Sequence, residues 1–516
     1  MKRLALPLVP LVAALLALLL GLLAARAAGA GEPAAVRAPA FAGSFYPDDP
    51  ARLRAAIEGF LADARPPRGE APVALVAPHA GYVYSGQIAA DAYRQAMGSA
   101  YDVVVILGTN HAAAPFDGVS VDASAGLRTP LGVAVADAEL ARALAAADGA
   151  LGYRPEAHAR EHSIEVQVPF VQVALPRARI VAAVVGRPDL ALAERFGRAL
   201  ARALAGRRAL IVASSDLSHY PARDAARAAD LEVLAALATL DAPAAAAAFA
   251  RVERAGTRGL VTAACGQGPA LAALVAAREL GARSGAVVSY ANSGDTVAGE
   301  AARVVGYGAL AWTRGRSAAA PAAPALPPPP GGEAALSAAE HAELLALARS
   351  TLERWFRSGT FPLPRPTSER LGRPQGAFVT LLADGRLRGC IGDLAGETPL
   401  ALSVARMAVA AAFEDRRFSP LQAAELPGLE LEISVLTPPR PVAGPQAIRV
   451  GTDGVLLARD GRRAVFLPQV APEQGWSRDQ LLGHLCEKAG LTGDCWRRGA
   501  LLSTFQADVF REKGAS

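Results

Sequence analysis

Short apolar, β-type runs occur at residues 73–77, 103–107, 180–185, 209–213 and 286–290. Longer stretches between them, such as 190–204 and 269–280, carry apolar residues at helical spacing. Alternation of this kind predicts an α/β domain built on a largely parallel sheet flanked by helices. The pattern stops at residue 316, where the chain turns Ala- and Pro-rich through Pro327, Pro328, Pro329 and Pro330 and then Gly331-Gly332. Such a segment stays extended and buries no core, so 316–334 reads as a linker, and a cut between Pro321 and Gly332 is expected to separate two folded units. Beyond it, a helix at 337–357 precedes short strands with turn dipeptides Asp384-Gly385, Asp453-Gly454 and Asp460-Gly461. Asp-Gly between strands favours tight hairpins, which predicts a smaller α+β domain over 335–516.

The chain opens differently. Met1-Lys2-Arg3 is followed by a charge-free apolar run over 4–25 and small residues around Ala27 and Ala30. That is the pattern of an export signal, and residues 1–30 are read as a signal peptide or an N-terminal membrane anchor, both alternatives remaining open. The expectation is an exported protein that touches a membrane only through this segment. The first globular unit then occupies 31–315.

Two domains also agree with a length of 516 residues, beyond the roughly 250 that one core organises. Hydrophobic residues make up 52%, but many are Ala, which buries little area. The 53 basic and 48 acidic residues are dispersed, without a basic block or aromatic interleaving, so nucleic acid is not an expected partner. Four cysteines in so long a chain are not a disulfide scaffold. Cys486 and Cys495 flank a short turn at a helix end and are the pair expected to bridge if any does, leaving Cys390 and Cys265 free.

Chemistry concentrates at the carboxyl ends of the expected parallel strands, where open α/β sheets bind ligands. His79 follows run 73–77, His111 follows 103–107, and Asp216 and His219 follow 209–213. Cys265 sits where a Gly-rich turn enters a helix, a setting that favours a thiolate. Two neutral imidazoles and one anion make a transition-metal site with open positions. Asp216 as the anion would suit non-haem iron, and Cys265 would shift preference towards copper or zinc. Glu161 and His162 offer a partner for a ligand or a proton carrier, although Ser163 and its acidic neighbours equally suit a helix cap. His158 reads as a solvated residue.

These stretches carry a family resemblance. Phe41-Ala42-Gly43-Ser44-Phe45-Tyr46-Pro47, Ala77-Pro78-His79-Ala80-Gly81-Tyr82, Gly108-Thr109-Asn110-His111, Glu161-His162-Ser163-Ile164-Glu165, Ser214-Ser215-Asp216-Leu217-Ser218-His219-Tyr220 and Ala264-Cys265-Gly266 resemble, in order, the Memo family. The resemblance spans about residues 36–312. It implies a fold like the class III extradiol dioxygenases, a metal held by His79, His111 and Cys265, and Asp216 and His219 beside it. Iron or copper is the implied metal, with copper-dependent redox activity. Cys265 stands where the dioxygenases have a carboxylate, which argues against ring cleavage.

In the second unit, Leu387-Arg388-Gly389-Cys390-Ile391-Gly392 sets a thiol near a guanidinium that can lower its pKa, while burial as a small apolar group is the plainer reading. With Phe413-Glu414-Asp415-Arg416-Arg417-Phe418 and Phe466-Leu467-Pro468-Gln469 it resembles the AMMECR family over about residues 337–510. That resemblance implies a functional surface around Arg388 and Cys390. It also implies the bacterial AmmeMemoRadiSam system, of which the chain looks like two fused components, with a radical-SAM protein as the third. Three functions are expected to compete: metal-dependent redox chemistry on a small substrate, with Asp216, His219 and His162 as catalytic groups; a peptide- or partner-binding module with a structural metal; and a zinc hydrolase.

Overall fold

The computed structural model describes residues 35–315 and 336–512. The expected export segment and the linker lie outside them. Among the described residues, no helix is long and apolar enough to cross a membrane.

The first domain is organised by an eight-stranded sheet. Its four central strands run parallel in the spatial order Ala74–Ala77, Ala209–Ser214, Val103–Thr109 and Arg179–Val185. Antiparallel strands extend both sides, and Ser284–Asn292 forms one edge. The central strands are buried on both faces. Val103, Val105 and Leu107 point into one core beneath helices Leu190–Leu204 and Gln267–Glu279, whereas Val104 and Ile106 point into a second core beneath Pro50–Ala62 and Tyr82–Arg94. Period-two alternation into two apolar layers explains why these runs carry no polar face.

The second domain has two four-stranded sheets, and its adjacent strand pairs are antiparallel. Helices Ala338–Ser358 and Leu400–Phe413 cover the sheet containing the hairpin Ala377–Ala383 and Arg386–Asp393. Asp384-Gly385 and Asp460-Gly461 form hairpin turns, all four residues having positive φ. Asp453-Gly454 does not join two strands, contrary to the sequence reading. There the Asp453 carboxylate is bound by the Arg449 backbone and guanidinium, closing a turn ahead of strand Gly454–Arg459. Cys486 and Cys495 are bridged, with their α-carbons 5.8 Å apart, and Cys265 and Cys390 are free thiols, as expected.

Candidate metal centre

Three neighbouring parallel strands deliver the site. Ala74–Ala77 leads to His79, Ala209–Ser214 to Asp216, and Val103–Thr109 to His111, so residues far apart in sequence meet at one sheet edge. Helix Gln267–Glu279 brings Cys265 in from beneath. Its approach needs Gly266, because a β-carbon there would lie 2.5 Å from Cβ of Ser215 and 2.7 Å from the Ser214 carbonyl oxygen.

The His79 Nε2 and Cys265 Sγ atoms are 3.1 Å apart. Candidate ligand atoms of His79, His111 and Cys265 all lie within 4.8 Å of one another. Metal–nitrogen bonds of about 2.0 Å and metal–sulfur bonds of about 2.3 Å place donor atoms around one ion roughly 3.5 Å apart, so small movements suffice.

Hydrogen bonds fix which ring nitrogens face this space. Ser214 Oγ donates to the Ser163 carbonyl at 2.6 Å and therefore accepts from Gln167 Nε2 at 2.8 Å and from His79 Nδ1 at 3.0 Å. His79 thus carries its proton on Nδ1 and turns the Nε2 lone pair towards Cys265. His111 does the same through a carboxylate, with Nδ1 2.9 Å from Glu161 Oε1 while its backbone N–H donates to Oε2 at 2.7 Å. A carboxylate or hydroxyl behind a histidine sets its tautomer and strengthens the outward nitrogen as a ligand.

Electrostatics agree with this assignment. Burial, followed by the neighbouring His111, lowers the His79 pKa to about 3; burial with His79 and His111 lowers His162 to about 4. Burial acts to raise the Glu161 pKa, but hydrogen bonds from His111 and Ser163 outweigh it and bring the carboxyl to about 2. The His79 and His162 imidazoles are therefore neutral and the Glu161 carboxylate charged near neutral pH.

Cys265 departs from expectation. Burial, and then the nearby Asp216, push its thiol well up, overriding any helix-end effect. A bound cation would reverse that balance.

Asp216 is within the site but not a member of the ligand cluster. Its Oδ1 accepts backbone N–H groups of His79 at 2.7 Å and Ala80 at 3.3 Å, fixing the loop that presents His79. The geometry thus brings Cys265, and not Asp216, to the imidazoles as the third donor. A second grouping, His111, Glu161 and His162, shares His111 with the first. We favour the first, because both Glu161 oxygens are already occupied by His111 and Ser163 N–H groups. His162 lies alongside, its ring 4.3 Å from that of His111 and 5.2 Å from that of His79. His219 stays within its own loop, with Nδ1 2.9 Å from the Leu217 carbonyl oxygen.

The sequence reading missed three participants. Ser214 and Gln167 hold His79 as described. Glu165 anchors the aromatic N-terminal segment over the site through Arg37, the N–H groups of Ala40 and Phe41, and the Tyr46 hydroxyl. Phe41 and Phe45 from that segment pack against the His162 ring at 5.6 and 4.9 Å. His158, expected in solvent, is buried with Nε2 2.9 Å from Ser120 Oγ.

In the second domain, Arg388 does not activate Cys390. Its guanidinium pairs with Glu425 at 2.7 and 3.1 Å, and burial raises the Cys390 thiol against a hydrogen bond from Thr380 and the Arg417 charge.

Residues 37–311 match the family described as Memo-like protein, and residues 345–510 match AMMECR1. A MEMO1 family protein of Methanopyrus kandleri is 38% identical over 291 residues, covering 54% of this chain and 99% of that protein. Another, from Aquifex aeolicus, is 37% identical over 275 residues, covering 53% and 97% respectively. A crystal structure of an uncharacterized protein from Pyrococcus horikoshii shows 35% identity over 33% of this chain and 90% of its own, with a TM-score of 0.32.

Proposed function

The chain belongs to the Memo-like family and carries an AMMECR1 domain behind it, and we propose that the Memo-like domain performs metal-dependent redox chemistry on a small organic or thiol substrate. The observation that carries this reading is the convergence of two oriented Nε2 lone pairs and one thiol at the sheet edge. Iron or copper bound by His79, His111 and Cys265 would supply one-electron chemistry and an open position for substrate.

The chain's own groups divide the remaining work. Glu161 and Ser214 hold the imidazoles in tautomer and orientation, and Asp216 fixes the His79 loop. His162 is neutral and partly exposed beside His111, and it would accept a proton from a substrate thiol or hydroxyl. His219 would act from its separate loop on a larger substrate. Phe41 and Phe45 form an apolar wall that limits water at His162. The AMMECR1 domain would recruit substrate or a partner, the radical-SAM component of the same system being the proposed one, and the N-terminal segment would export the protein.

The same donor set suits zinc, which would favour hydrolysis or a structural role. Metal analysis of the full chain, paired with redox turnover of thiols and quinols, tests the reading. Stoichiometric iron or copper with turnover is expected, and Cys265→Ser should weaken copper more than Fe(II), since a hydroxyl poorly replaces a thiolate. Exclusive zinc occupancy, or full metal retention in His79→Ala, would reject it.

A further inference from the structure

A cavity of about 780 Å³ lies where the second domain covers the free edge of the main sheet. Its first-domain walls are strand Ser284–Asn292, helix Arg223–Ala238 and the segment following helix Pro50–Ala62. The second domain closes it with residues 363–366 and the start of helix Leu400–Phe413.

Four guanidinium groups belong to this wall: Arg65, Arg68, Arg227 and Arg365. Arg365 is neutralised by the buried Asp91. The other three form no ion pair among the described residues. Arg68 donates to the Val287 carbonyl at 2.8 Å, and Arg227 lies 5.7 Å from the centre of the Tyr290 ring. The acidic residue on the wall, Asp295, faces Arg223 at 3.9 Å and also feels the charge of Arg227. Positive charge is therefore in excess in a partly enclosed space, four guanidinium groups standing against Asp91 and Asp295; burial, and next the charge of Arg365, lower the Arg65 pKa against the opposing pull of Asp91.

We propose that this cavity binds a small molecule carrying a phosphate group and an apolar body. Arg65, Arg68 and Arg227 would hold the dianion. Leu231, Leu363 and Leu402 offer the apolar surface for the body. A volume in the range of about 300–1,000 Å³ suits a ligand of this size, and guanidinium groups match phosphate oxygens in geometry and charge. None of these residues belongs to the His79, His111 and Cys265 cluster, so binding here does not rest on the metal reading. The ligand would touch both domains and join them.

Titration calorimetry of the full chain with phenyl phosphate tests the proposal, with benzoate and phenol as controls. Saturable binding of phenyl phosphate, weaker binding of benzoate and none of phenol are expected. Arg65→Gln and Arg227→Gln should each weaken phenyl phosphate roughly 10-fold, the loss of one charge-assisted contact. Ala235→Trp, at an exposed position on the rim, should block binding without changing charge. Thermal unfolding of each variant confirms that it is folded. No saturable binding, equal affinity for benzoate, or affinity unchanged in both arginine variants would overturn the site. So would binding that vanishes on metal chelation, which would place the anion at the metal.

Discussion

Glu161 is the residue on which the metal reading turns, because one carboxylate fixes the His111 ring and backbone together. Glu161→Gln should lower metal affinity by roughly 10–100-fold, the usual effect of losing a carboxylate behind a metal-bound histidine. Equilibrium dialysis with the metal identified in the purified protein measures it, and unchanged affinity would remove Glu161 from the site. A second residue predicts pH dependence away from the metal. Asp230 is buried and bound by the Tyr290 hydroxyl at 2.9 Å and the Ser218 N–H at 2.8 Å, and burial raises its carboxyl from 3.8 to about 7. The folded state therefore holds this proton more tightly than the unfolded chain. Its contribution to stability is full below pH 3.8 and is lost as pH rises past about 7. Asp230→Asn should flatten the stability profile across that window in denaturant titrations at stepped pH. The meeting of His79 and His111 was legible because strand ends announce themselves in the apolar pattern, and Cys265 because a Gly-rich turn enters a helix there. Ser214 and Gln167 were not, since Ser214 lies 135 positions from His79 and such a pairing leaves no spacing to read. His158 misled for the same reason, its partner Ser120 being visible only in three dimensions.

At the scale of elements, the packing of helix Gln267–Glu279 against the central strands decides whether Cys265 reaches the histidines. Gly266→Ala places a β-carbon against Ser215 and the Ser214 carbonyl, and backbone cannot move aside as a flexible side chain would. The variant should lose about 1–3 kcal/mol of stability and bind metal more weakly, both read from thermal unfolding with and without the ion. A loss of metal with no change in stability would indicate that the helix had not shifted. The parallel strands were readable because each is an unbroken apolar run covered on both faces. Two of three Asp-Gly turns were also readable, since positive φ at both residues is what a tight hairpin requires. Asp453-Gly454 failed because Arg449 recruits the Asp453 carboxylate, a side-chain contact that the dipeptide alone does not encode. The antiparallel strands at either side of the main sheet escaped for a related reason: their direction depends on connections, not on composition.

For the whole molecule, the Pro-rich boundary suggested independent halves, yet the described residues meet across a polar interface. Arg354 pairs with Asp63 and Arg365 with the buried Asp91. Arg406, on helix Leu400–Phe413, donates to the carbonyls of Gly294, Thr296 and Gly299 at 3.0, 2.9 and 2.6 Å. These carbonyls belong to the segment leading to Val304 and Val305, which pair with Tyr220 and His219, so the second domain grips a loop next to the metal centre. Isolated surface pairs contribute little, but removing a half-buried guanidinium that satisfies three carbonyls takes a partner from each, the Thr296 carbonyl keeping only a 3.4 Å bond from the Gly299 N–H. Cleavage within 321–332 should therefore yield two fragments that sediment together at low salt. Raising salt should weaken the exposed Arg354 pair first and the buried Asp91 pair last, giving gradual dissociation. Arg406→Ala in the nicked protein should weaken association by about 2 kcal/mol, close to 30-fold, measured by sedimentation across a concentration series. Fragments that separate at low salt, or an Arg406→Ala complex as tight as the parent, would show that the linker alone holds the halves together.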